Sequence, residues 1–132
     1  MIYALDSNII SYYLKEDKFI VQKYNEERDR GNYFVIPPYV YFEIKRGLEA
    51  INATRKLEKF EYLCSEFKMG IIDIGVLNVA VNIYVDLRKQ GRIIEDADIL
   101  IAAYCIINDY TLVTNNTSHF ERVQNLKYIN WK

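Results

Sequence analysis

The chain has 132 residues, 51% of them hydrophobic, with 12 Tyr, 6 Phe and a formal net charge of -1 at pH 7; this suits a single domain over residues 1–132 with one real core, and no global basic field marks it for nucleic acid. No basic flank and apolar leader follow Met1, and no stretch approaches the ~20 apolar residues of a membrane span, so a cytoplasmic protein with no membrane partner is expected. Cys64 and Cys105 lie far apart without disulfide or metal-ligand spacing, as expected of buried thiols in a reducing compartment.

In chain order, Ile2–Leu5 reads as a buried strand and Ile9–Leu14 as a short helix. Asp17 can cap a second helix carrying Phe19, Ile20 and Tyr24, ended by Gly31-Asn32. Tyr33–Ile36 reads as a second strand, and Pro38 suits the first turn of a helix in which Val40, Ile44, Leu48 and Ile51 keep helical spacing. Thr54–Phe67 is expected to fold back on it as a helical hairpin. Ile71–Ile74 reads as a third strand. Val76, Ala80, Ile83 and Leu87 mark one face of a helix ending near Gly91. Asp96–Asn108 is apolar nearly all round, as in a helix packed at the centre of a domain. Thr111–Thr114 and Lys127–Asn130 complete the strands. This alternation predicts an α/β fold: a three-layer sandwich with a central, mainly parallel sheet and one helical hairpin. Ligands in such sheets bind beyond the carboxyl ends of the strands, and Asp6 and Thr114-Asn115-Asn116 lie just past two of those ends.

Asp6, Glu43 and Asp98 are the acids that stand out, each on an otherwise apolar element. An Asp after a strand is commonly a turn residue or helix N-cap. Glu43 shares a helical stripe with Tyr39, Val40 and Gly47, and a partly buried Glu needs a partner, either a basic residue or a ligand. Asp96 and Asp98 are two positions apart and point in different directions on a helix; Asp96 suits the N-cap, leaving Asp98 to project toward the strand ends. Dipole-complementing acids at a helix start account for either one, but not for the whole set. His119, the one histidine, reads as a surface residue near Asn116.

Four segments together resemble the PIN-domain ribonucleases, and among them the VapC toxins of toxin–antitoxin pairs. They are Asp6-Ser7-Asn8; Glu43 with Gly47; Asp98 followed by Ile101-Ala102-Ala103; and Leu112-Val113-Thr114-Asn115-Asn116 with Phe120-Glu121-Arg122. The resemblance implies a metal-dependent endoribonuclease with Asp6, Asp98 and Glu43 as ligands of Mg²⁺ or Mn²⁺, and with Asn116 holding a metal-bound water. Ser7, Asn8, Thr114 and Asp96 would surround and orient that set. Many relatives carry a fourth acid where this chain has the neutral Asn116, which puts a second metal ion in doubt. The resemblance also implies an RNA substrate, a cognate antitoxin that blocks the acidic site, and a homodimer or toxin–antitoxin hetero-oligomer. The segments Ile9–Leu14 and Pro38–Phe67 are expected to supply those surfaces.

With no global positive charge, the RNA must be held locally. Lys45, Arg46 and Arg92 are the candidate phosphate contacts, and Tyr12, Tyr13 and Tyr41 candidate stacking platforms. Two other functions fit a small α/β protein with acids at its strand ends. One is a non-catalytic RNA- or antitoxin-binding relic of the same fold, against which the retained acids argue. The other is a receiver-like phospho-acceptor domain, which requires paired acids at the first strand and a Lys past the last; here Lys127 opens the last strand instead.

Overall fold

A computed structural model describes residues 1–132. Four short strands, β1 (Ile2–Leu5), β2 (Tyr33–Val35), β3 (Thr111–Val113) and β4 (Lys127–Ile129), form one sheet of order β2-β1-β3-β4. All three pairings are parallel, with Ala4 opposite both Val35 and Leu112. The carboxyl ends of the central strands β1 and β3 therefore come out side by side, and Asp6 N–H donates to the Val113 carbonyl at 3.0 Å.

The helices begin where local chemistry dictates. Asp6 is the N-cap of α1 (Ser7–Leu14). Asp17 caps α2 (Lys18–Asp29) by accepting from Ile20 N–H at 3.1 Å, and Gly31 turns the chain out of it at a φ of +85°, where a side chain is disfavoured. Pro38 opens α3 (Pro38–Ala50), whose neighbour α4 (Thr54–Ser65) packs back against it as the expected hairpin. Helix α5 (Ile74–Lys89) buries Val76, Ala80, Ile83 and Leu87, the four positions that the helical spacing selects, and packs on α6 (Asp96–Asn108). In α6 Ile99 and the run Ile101–Cys105 are all buried. A single turn, α7 (Thr117–Phe120), leads into β4.

Three expectations are corrected. Residues 71–74 are not a strand: the one bridge nearby, isolated and parallel, joins Ile36 to Met69 before that segment. Asp73 instead caps α5, accepting from Val76 N–H at 3.0 Å, and Ile71 and Ile74 are exposed. Capping by Asp73 starts a helix before the run can extend the single bridge beside edge strand β2 into a strand. The N-cap of α6 is Glu95 rather than Asp96, and its side chain makes no capping bond. Ile9, Ile10 and Leu14 of the expected partner surface Ile9–Leu14 are buried in the protein's own core, which leaves only the half-exposed Ser11, Tyr12 and Tyr13 of that segment for a partner.

Tyr3, Tyr24, Phe34, Phe67 and Trp131 pack as one aromatic group in that core, with Tyr24 and Phe34 ring centres 4.6 Å apart. Cys64 and Cys105 are both free thiols, the second fully buried. No helix is long and apolar enough to cross a membrane.

Candidate active site

Asp6 is only 3% exposed, an unusual position for a carboxylate. Its oxygens are therefore satisfied from within: Oδ1 accepts from Ser7 N–H at 2.8 Å, and Oδ2 accepts from the Thr114 hydroxyl at 2.7 Å and the Asn8 amide at 3.4 Å. Thr114, fully buried at the end of β3, also accepts from Asn116 N–H at 3.0 Å. Asn8 Oδ1 in turn accepts from Asn115 N–H at 3.1 Å. Ser7, Asn8 and Thr114 thus surround Asp6 and tie the loop after β3 to the start of α1.

Asp98 projects from the first turn of α6 and Glu43 from the middle of α3, both partly buried. Burial pushes the Asp6 carboxyl above its usual range; the Thr114 and Ser7 hydrogen bonds oppose this and the Asp98 charge adds to it. Burial also raises Glu43, followed by the charge of Asp6, while Arg46 counters and Asp98 and Glu95 add to the rise. Three acids from three elements therefore share one field and repel one another. Glu95 is a fourth acid in this field that the sequence reading missed, and Asp96, assigned a supporting place, is an exposed first residue of α6.

His119 belongs to this group and is not the detached surface residue expected from the sequence. Its Nδ1 lies 2.9 Å from Asp98 Oδ2 and 2.8 Å from the Asn116 side-chain amide. The signal was present but faint, since Asn116 and His119 are three apart, the spacing at which side chains meet on a helical turn.

No group of three His, Cys, Asp or Glu side chains closes tightly enough to hold an ion directly. The donors facing this site are nonetheless oxygen-rich, and their unfavourable mutual charge is what a cation would relieve. That set suits a hard divalent ion such as Mg²⁺, which keeps several of its own waters and needs only one or two carboxylates. It does not suit a closed zinc cage.

The basic residues divide. Arg46 is exposed, lies over the Phe42 ring at 4.9 Å and influences Glu43. Lys45 is drawn instead to Tyr41, whose hydroxyl accepts from it at 3.2 Å. Arg92 is exposed, and its carbonyl is 3.5 Å from Arg122 Nη1. Glu43 also opens onto a cleft of about 250 Å³ lined in part by Ser11, Lys15, Gly47 and Lys56. The expected stacking platforms are half-exposed and each makes a contact within the chain: Lys132 lies over Tyr12, Tyr13 packs on Tyr24, and Tyr41 packs on Phe60. A larger cavity of about 830 Å³, lined by Tyr24, Phe67, Tyr104 and others, contains none of the site acids.

Comparison with known proteins fits this arrangement. The PIN-domain family model matches residues 3–126. The chain belongs to the PIN-domain family. Ribonuclease VapC2 of Rickettsia felis is 30% identical over 135 aligned residues, covering 99% of this chain and 98% of the relative. Ribonuclease VapC2 of Haemophilus influenzae strain Rd is 31% identical, covering 98% and 97%. Among solved structures, VapBC2 from Rickettsia felis bound to a DNA fragment from its promoter superposes with a TM-score of 0.91 at 26% identity over 100% of both chains. VapBC-1 from nontypeable Haemophilus influenzae gives 0.84 at 25% identity, covering 99% and 98%. The PIN-domain chain thus has the fold that the order of its elements predicts, a parallel sheet flanked by helices, with Asp6 just past the carboxyl end of central strand β1.

Proposed function

We propose that this PIN-domain chain is the endoribonuclease toxin of a VapBC-type toxin–antitoxin module, a single cytoplasmic domain that hydrolyses RNA phosphodiester bonds with carboxylate-held Mg²⁺ or Mn²⁺. The observation that carries the reading is the buried Asp6 carboxylate just past β1, held by Ser7, Asn8 and Thr114 and linked through Thr114, Asn116 and His119 to Asp98, with Glu43 in the field of both acids. The VapC ribonuclease relatives, matched over nearly the whole length of both chains, support the same reading. A receiver-like domain is disfavoured, since Lys127 pairs with Asp109 at 2.7 Å and is not beside Asp6.

In this reading Asp6 and Asp98 would hold the cation directly or through its waters, and Glu43, half-buried and held above its usual pKa range, would orient the attacking water and accept its proton. When bound, the cation makes that water more acidic and offsets the charge that builds on the phosphate oxygens. The water oxygen bonds to phosphorus as one ester P–O bond breaks, the water's proton passes to Glu43, and the leaving oxygen takes up a proton from solvent. Thr114, Ser7 and Asn8 fix the Asp6 oxygens, a preorganisation that costs nothing at the moment of reaction. Arg46, exposed beside Glu43, supplies a local phosphate contact, with Lys15 and Lys56 extending the path along the same cleft.

An antitoxin would silence such a site most directly by placing a cationic side chain among the acids, where it relieves the same repulsion as the metal. A homodimer surface is better sought on α5 than on α1. The exposed residues Ile74, Leu77, Val81, Tyr84 and Val85 form an uncharged apolar stripe along α5, and homodimer interfaces are the more apolar class.

The deciding experiment incubates purified, antitoxin-free protein with labelled RNA in Mg²⁺, Mn²⁺ or chelator, beside Asp98→Asn. Metal-dependent cleavage that the variant loses is the expected result. Intact RNA in every lane would favour a non-catalytic binding relic.

A further inference from the structure

The chain's one histidine stands at a point the proposed chemistry does not use. His119 Nδ1 faces two groups at once, Asp98 Oδ2 at 2.9 Å and the Asn116 amide at 2.8 Å. One ring nitrogen has either a proton to donate or a lone pair to accept with, never both. The Asp98 carboxylate can only accept, so a lone pair on Nδ1 would set two acceptors against each other in a partly buried pocket. A proton on Nδ1 resolves the conflict and makes a charge-assisted bond. The Asn116 amide, whose oxygen and nitrogen are interchangeable by a simple flip, then turns its oxygen toward the ring and its –NH₂ outward.

Resting on the nuclease reading above, we propose that His119 is a positioning residue for Asp98: its Nδ1–H holds Oδ2, leaving Oδ1 to meet the divalent cation, while Asn116 sets the tilt of the ring. Four observations support this. The ring sits on a one-turn helix whose start is tied to β3, because Asn116 N–H donates to Thr114 and Thr114 donates to Asp6. Phe120, the next residue, is fully buried and anchors that turn in the core. The Asp98 side chain is 16% exposed and that of His119 is 36% exposed, so the contact is shielded on the acid's side while the far edge of the ring remains open. The link also runs between two of the proposed ligands: Asp98 through His119, Asn116 and Thr114 to Asp6. A substitution at His119 therefore loosens one acid without removing any charge from the site. Asn116 becomes a donor to substrate or to a bound water rather than a ligand, which answers the question raised by its neutrality.

Because the protein has one histidine, a ¹⁵N-labelled sample shows a single imidazole in long-range ¹H–¹⁵N correlation spectra. At a pH where the ring is neutral, the expected form is the Nδ1–H tautomer, and Asp98→Asn should change its populations; an Nε2–H ring indifferent to that substitution overturns the proposal. A second arm measures Mn²⁺ affinity by electron paramagnetic resonance without RNA, together with cleavage kinetics. His119→Ala should weaken Mn²⁺ binding by roughly tenfold or more, as loss of an orienting partner does, and lower kcat more than it raises KM for RNA. His119→Asn, which returns an N–H near the Nδ1 position, should restore most of the affinity; His119→Gln, which imitates Nε2, should not. Wild-type affinity in His119→Ala, or rescue by Gln and not Asn, counts against the proposal. If the wild type itself cleaves no RNA, the nuclease reading has failed, while the tautomer and Mn²⁺ results still decide the place of His119.

Discussion

The Thr114 hydroxyl donates to Asp6 Oδ2 at 2.7 Å, joining side chains 108 positions apart in the chain at the ends of adjacent strands. The bond is buried on both sides, and it is one of the contacts that allow a carboxylate to be almost fully enclosed. Thr114→Val keeps the shape and removes the donor. It leaves one Asp6 oxygen with only the long Asn8 contact and Asn116 N–H without its acceptor. An unmet buried polar group costs about 1–3 kcal/mol, so urea denaturation of the metal-free protein should show a loss of that order. Thr114→Ser, which retains the hydroxyl, should recover most of it.

That relationship was partly legible in the sequence. The carboxyl ends of two apolar runs must lie side by side if both runs are central strands of a parallel sheet, so Asp6 and Thr114 could be paired by topology alone. Glu43 was legible because it shared a stripe with buried Val40. What the sequence concealed depended on short or competing local structure. Four-residue α7 is too brief for periodicity to reveal His119 beside Asp98. At Ile71–Ile74 the apolar run suggested a strand, and only the capping bond from Asp73 to Val76 shows why a helix begins there. The bounds of α6 were legible, but its N-cap is Glu95 rather than Asp96, and Glu95 rather than Asp96 is the acid that adds to the field of Glu43.

Glu43 gives a pH signature with a definite sign. Its folded carboxyl is raised above the ordinary value of 4.5 by burial, Asp6 and other acids, so its contribution to stability is complete below the unfolded pKa and is lost as pH rises through the raised folded value. At pH 7, well above the ordinary carboxyl value, the metal-free protein carries that loss. Glu43→Gln should therefore raise Tm at pH 7 while leaving Tm near pH 3.5 almost unchanged, and should abolish cleavage. Mg²⁺ should raise the Tm of the wild type more than that of the variant, through linkage. Scanning calorimetry at both pH values, with and without Mg²⁺, checks each part. A variant less stable than wild type at pH 7 would show that Glu43 is paired, not repelled.

Arg46 and Lys45 are neighbours in sequence with different expected effects. Arg46 is exposed over Phe42 and influences Glu43, whereas Lys45 is bound to the Tyr41 hydroxyl. Arg46→Glu should weaken RNA binding and reduce the slope of log K against log salt by about 1, as loss of a single phosphate contact does. Lys45→Gln should have a smaller effect on binding. Fluorescence anisotropy titrations over a salt series, run in Ca²⁺ to suppress cleavage, separate the two; equal slopes for Arg46→Glu and wild type would remove Arg46 from the RNA path.

Helix α5 is apolar on more than its core side. Its buried face holds Val76, Ala80, Ile83 and Leu87 against the core, while Ile74, Leu77, Val81, Tyr84 and Val85 remain exposed along one other side, and no charged residue occurs between Ile74 and Val85. Apolar side chains at this density on a surface helix mark an interaction site, and a two-fold pairing of the same stripe needs no charge complementarity. Val81 is 59% exposed, so Val81→Glu removes little from the core and should shift Tm only slightly. In a dimer the same substitution would bury two like charges near the symmetry axis, which disfavours association strongly. Sedimentation velocity should therefore show wild-type dimers and Val81→Glu monomers at equal concentration. Dimers in both would move the interface off α5, and the exposed faces of the α3–α4 hairpin would be the next surface to test.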